Sequence, residues 1–106
     1  MNYTESVTWL ENRNIPLGEF TLDNIKELLN IFHKPQDKLK IIHITGTNGK
    51  GSVASFISNA LIENNFKVGK FTSPYITNIR EEIEINNVEI SEKDFANLAT
   101  EVREKV

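Results

Sequence analysis

The sequence predicts an α/β fold: a parallel strand–helix–strand unit, a small β-hairpin and flanking helices. Three observations predict it. An apolar, β-branched run, residues 39–45, ends in a glycine-rich loop and passes at once into a helix-compatible stretch at 53–64. A second short strand is expected at residues 67–71, so strand, helix and strand come in the order of a right-handed parallel crossover. Later, residues 82–85 alternate charged and apolar side chains, Asn86-Asn87 offers a tight turn, and residues 88–90 return.

The flanking elements follow from local signals. Residues 4–12 read as a short helix with Val7, Trp9 and Leu10 as its apolar surface, ended by Asn12-Arg13-Asn14. Pro16 and Gly18 mark a loop. Thr21 is placed to cap a second helix, whose Ile25, Leu28, Leu29 and Phe32 recur at helical spacing, and Pro35 forces an exit near Lys34. Ile41, Ile42 and Ile44 are nearly continuous, as in a strand covered on both faces. Val53, Phe56, Ile57, Ala60 and Leu61 mark the expected buried face of the next helix. Ser91-x-x-Asp94 resembles a capping box at the start of a last helix, with Phe95, Leu98, Ala99 and Val102 as its inner stripe.

Bulk properties narrow the function classes. A chain of 106 residues fits one domain with a modest core. Its net charge of −3 argues against a general grip on nucleic-acid backbones. The absence of cysteine removes disulfides, zinc–thiolate sites and thiol nucleophiles, and fits a reducing compartment. There is no long apolar run for a membrane span and no secretory leader, so the cytoplasm is the expected location.

The chemistry concentrates at Gly46-Thr47-Asn48-Gly49-Lys50-Gly51-Ser52. A phosphate group must be met by fixed donors. Gly46, Gly49 and Gly51 let the backbone approach it without a Cβ and aim amides at its oxygens. The helix N-terminus adds partial positive charge. Lys50 can reach outer phosphates, and Ser52 can ligate the Mg²⁺ that accompanies a nucleotide. The pattern departs from the strict phosphate-loop form because Gly51 separates the lysine from the hydroxyl residue. Elsewhere bland readings hold: His43, Trp9 and Phe56 as core, His33 as exposed, and the acidic hairpin as wetted surface.

This loop resembles the variant phosphate loop of the Mur ligase superfamily. Lys67-Val68-Gly69-Lys70-Phe71-Thr72-Ser73-Pro74-Tyr75, Asn78-Ile79-Arg80-Glu81-Glu82-Ile83-Glu84-Ile85-Asn86 and Ile90-Ser91-Glu92-Lys93-Asp94-Phe95 are similar to the folylpolyglutamate synthase and dihydrofolate synthase branch. So is the opening helix. The resemblance implies part of a three-layer phosphate-loop domain and a ligase that joins L-glutamate to the carboxylate of a folate or dihydropteroate through an acyl phosphate, with ATP and Mg²⁺ as cofactors. It implies that Gly46, Thr47, Asn48, Gly49, Lys50, Gly51 and Ser52 hold ATP, with Lys50 at the transferring phosphate. By the same resemblance Ser52 and Ser73 ligate metal, and Ser73, Pro74, Arg80 and Gly18 face substrate.

Such enzymes are several times longer, with a second, C-terminal domain. The expectation is therefore that these residues form an N-terminal piece, inactive alone and prone to self-association through uncovered strands. Two other readings stand beside this one at the level of the sequence. One is a UDP-sugar amino-acid ligase, disfavoured because only 45 residues precede Gly46. The other is a non-catalytic nucleotide-binding module.

Overall fold

The computed structural model describes residues 1–13, 22–46 and 48–106. In chain order the elements are α1 (Tyr3–Glu11), α2 (Asp23–Ile31), a 3₁₀ turn (Pro35–Lys38), α3 (Lys50–Glu63), β1 (Gly69–Phe71), a second 3₁₀ turn (Ile79–Glu82), β2 (Ile83–Ile85), β3 (Val88–Glu89) and α4 (Glu92–Lys105). They form two compact units, Met1–Ile42 with Ala96–Val106, and His43–Phe95.

In the first unit, α1 is closed at its start by a reciprocal cap. The Asn2 side chain accepts from the Glu5 N–H at 2.8 Å, and the Glu5 carboxylate accepts from the Asn2 N–H at 3.2 Å. Ser6 is fully buried, and its hydroxyl donates to the carbonyls of Asn2 and Tyr3, so this buried hydroxyl is satisfied. The Met1 amino group donates to Thr100 Oγ1 on α4 at 3.0 Å. Trp9 carries the Arg13 guanidinium 4.9 Å above its ring. The expected capping residue Thr21 lies outside the described residues, and Leu22 holds the N-cap position of α2. Ahead of Pro35, α2 ends in a Schellman motif: the Lys34 N–H bonds to Leu29 O and the His33 N–H to Asn30 O. His33 takes the left-handed conformation that glycine usually supplies there, with φ 64°.

In the second unit the sheet order is β1-β2-β3, antiparallel throughout. This corrects the expected parallel crossover. Residues 39–45 form no strand, and Leu39, Ile41 and Ile42 are exposed, because an extended segment becomes a strand only against a partner and the described residues offer it none. His43 is accordingly exposed, not packed. The run at 67–71 does form β1, paired with β2 as Gly69↔Ile85, Lys70↔Glu84 and Phe71↔Ile83. The hairpin is as expected, with Asn86 and Asn87 both left-handed at its turn.

The face of α3 also departs from expectation. Phe56 is 76% exposed and Val53 45%, while Ser58 is the buried residue, its hydroxyl donating to Ala54 O. Helical period identifies a stripe but not which neighbour covers it. On α4, Ser91 Oγ accepts from the Asp94 N–H at 3.0 Å as expected. Phe95, Ala96 and Ala99 are buried there, but Leu98 is exposed. The Asn87 side chain donates to Asn59 Oδ1, joining the hairpin turn to α3.

Register puts Lys70, Glu84 and Glu89 side by side on one face of the sheet and Phe71, Ile83, Ile85 and Val88 on the other. The charged face is the covered one: the Lys70 and Glu84 side chains are 17% and 23% exposed, whereas Phe71 and Val88 are 71% and 67% exposed.

His33→Gly is expected to stabilise the chain by about 1 kcal/mol by relieving a left-handed side-chain residue. The check is the midpoint of urea unfolding.

Candidate functional site

Helix α3 starts at Lys50, three residues before the expected Val53, so the loop's lysine, third glycine and serine are its first turn. Gly49 holds the N-cap position with φ 77° and ψ 4°, a conformation strained for any residue with a Cβ. Gly46 has φ 146°, equally glycine's own. The first intrahelical bond runs from the Val53 N–H to Gly49 O at 3.0 Å. The amides of Lys50, Gly51 and Ser52 therefore have no intrahelical acceptor, and no side chain caps the end. They are three donors at the positive end of a helix dipole.

A Cβ at Gly49 or Gly51 would meet nothing within 4 Å, so the surface over these amides is open. The Lys50 stem lies back over the loop: a Cβ at Gly46 would stand 3.9 Å from Lys50 Cγ. That is the normal lean of a helical side chain toward its N-terminus. Such an arrangement can receive a phosphate.

The second candidate segment leaves β1. Ser73 and Pro74 are exposed and joined by a cis peptide. The segment is pinned where it begins and ends, since the Thr72 N–H donates to Glu82 O at 3.0 Å. Arg80 is half-buried. Its Nη1 donates to Ile90 O at 3.2 Å and lies 3.8 Å from Glu89 Oε2, so its guanidinium is engaged within its own unit. Thr47 and Gly18 lie outside the described residues, as does the rest of the loop at 15–20. Among the described residues no cluster of His, Cys, Asp or Glu could hold a metal by itself. No helix among them is long and apolar enough to cross a membrane.

Glu81 is the residue that sequence reasoning missed. Its Oε2 accepts from the N–H groups of Thr77 and Asn78, both at 2.8 Å, and its Oε1 accepts from the Ile76 N–H at 3.2 Å. The Asn78 side chain reciprocates by accepting from the Arg80 N–H at 3.0 Å. The Asn78 amide foremost, then those of Ile76 and Thr77, hold the carboxyl below its ordinary 4.5. The signal was present as Asn78-x-x-Glu81, a capping-box spacing hidden in an acidic run.

No family model matches the chain. A dihydrofolate synthase/folylpolyglutamate synthase of Bacillus subtilis is 34% identical over 105 residues, 98% of this chain and 24% of its own length. A dihydrofolate synthetase of Saccharomyces cerevisiae is 39% identical over 80 residues, 76% of this chain and 19% of its own. A solved folylpolyglutamate synthetase from Lactobacillus casei superposes with a TM-score of 0.89 at 36% identity, covering 98% of this chain and 26% of that one. The chain belongs with the folylpolyglutamate and dihydrofolate synthases. It spans about a quarter of the length of the relatives that match it end to end. A solved FPGS–AMPPCP–folate complex superposes more closely, with a TM-score of 0.92.

Because the native-state pKa of Glu81 is depressed, its contribution to stability is complete above the unfolded value and is lost as pH falls through the folded one. Glu81→Gln is expected to flatten the loss of stability below about pH 4.5. Urea midpoints measured from pH 3 to 6 test this, and parallel curves for the two proteins would contradict it.

Proposed function

We propose that this chain is the nucleotide-binding portion of a cytoplasmic ligase that joins L-glutamate to the carboxylate of a folate or dihydropteroate through an acyl phosphate, using ATP and Mg²⁺. The observation that carries the reading is the unmet first turn of α3, three amides beneath an open glycine surface with the Lys50 stem lying back toward Gly46. The family supports it, as does the likeness to a complex with AMPPCP and folate.

The loop's fit to a triphosphate is physical. Glycine at 46 and 49 permits the turn, glycine at 51 leaves the approach bare, and the amides and Lys50 supply donors and charge. Gly46, Asn48, Gly49, Lys50, Gly51 and Ser52, with Thr47 between them, would hold the phosphates, and Lys50 would offset charge on the transferring group. The hydroxyls of Ser52 and Ser73 would ligate Mg²⁺, which when bound neutralises phosphate charge so that a carboxylate can approach. Pro74, Arg80 and Gly18 belong to the substrate side. By itself the chain binds nucleotide and catalyses nothing. Its uncovered apolar surfaces, Leu39 with Ile41 and Ile42 in one unit and Phe71 with Ile85 and Val88 in the other, favour self-association.

Calorimetric titration with Mg²⁺–ATP is expected to show binding that Lys50→Ala weakens about ten- to a hundredfold, as the loss of a charge-assisted bond implies. Gly51→Ala should weaken binding too, while stabilising α3 by about 0.5–1 kcal/mol. Equal affinity in all three, or binding in none, would sink the cradle. Light scattering at rising concentration should show mass growing beyond the monomer, and a constant monomer mass would refute self-association.

A further inference from the structure

We infer that Glu81 is the positioning residue for Ser73: its carboxylate gathers the backbone amides of Ile76, Thr77 and Asn78 and thereby sets the path of the segment that carries Ser73. The inference rests on the proposed role of Ser73 in ligating Mg²⁺.

The geometry leaves Glu81 this task. Residues 73–82 form a loop closed at its base by the Phe71↔Ile83 pair and by the Thr72 N–H on Glu82 O. Closure fixes the base but does not by itself set the path between. Apolar burial does not order the stretch next to Ser73, since Ile76 is 93% exposed and Ser73, Pro74 and Thr77 are exposed as well. One carboxylate accepting from three successive amides does order it. These bonds are charge-assisted and roughly twice as strong as neutral ones. Three consecutive N–H groups turned to one point make a concavity suited to an anion, and here the chain fills it with its own side chain. Only two residues, Pro74 and Tyr75, stand between Ser73 and the first of those amides. A shift of the clasp therefore reaches Ser73 with little slack. Had Glu81 merely capped its own 3₁₀ turn, the bond from Asn78 would suffice. Those from Ile76 and Thr77 extend the hold toward Ser73.

The test uses the whole chain as Glu81→Ala, Glu81→Gln, Ser73→Ala and the double variant Glu81→Ala with Ser73→Ala. In amide NMR, Glu81→Ala should speed hydrogen exchange at Ile76, Thr77 and Asn78 at least about tenfold. It should also displace the Ser73 resonance while leaving the β1–β2 amides of Lys70 and Glu84 in place. Glu81→Gln, which keeps an acceptor but loses the charge, should fall between and serves if the alanine variant does not fold. In titrations with Mg²⁺–ATP, Glu81→Ala and Ser73→Ala should each weaken binding, and the double variant should be no weaker than Ser73→Ala, because both remove one function. Losses that add would overturn the inference, as would an unmoved Ser73 resonance beside accelerated exchange at Ile76–Asn78. If Ser73→Ala left affinity intact while Lys50→Ala did not, the metal role of Ser73 would fall and the inference with it, but the phosphate cradle would stand.

Discussion

Backbone amides that must find acceptors close at hand govern this chain. Among the described residues the buried apolar side chains are Ile90, Phe95, Ala96 and Ala99, too few to drive folding by apolar burial alone. Order is instead written into short-range polar closures. Asn2 with Glu5 closes one helix start and Asn78 with Glu81 another, while Schellman bonds finish α2 and α3. At the second of these ends Asn65 takes the left-handed position, as His33 does at the first. The starts of α2 and α3 lack such a side-chain cap, and at α3 the bare first turn coincides with glycine at its N-cap and at its second position.

The sheet shows how local closure and charge cooperate. Its covered face carries Glu84 directly opposite Glu89, an unfavourable pairing by itself. Lys70, 3.7 Å from Glu84, and Arg80, 3.8 Å from Glu89, flank the two, so a cation stands at each end of the acidic pair. Arg80 thus has a structural occupation whatever else it meets. On the opposite face Phe71, Ile85 and Val88 are exposed and form an apolar patch.

Sequence reasoning read correctly what is decided within a few residues. The helix ended by Asn12, the exit ahead of Pro35, the hairpin turning on Asn86 and Asn87 and the cap at Ser91 all depend on neighbours in sequence. It misread what depends on distant partners. Residues 39–45 have strand composition and no strand, and Phe56 lies on an apolar stripe yet faces solvent. The glycine-rich turn ahead of α3 was legible because glycine at positive φ and a helix start are local facts. Glu81 was local too, but its charge drew it into the reading of an acidic, solvated hairpin.

The hydrogen bond between Asn87 and Asn59 joins the hairpin turn to the middle of α3. It ties two positions far apart in sequence, and the hairpin shares its strand β2 with the base of the loop bearing Ser73. An exposed bond of this kind contributes on the order of 1 kcal/mol, so it biases the register between α3 and the hairpin turn without locking it.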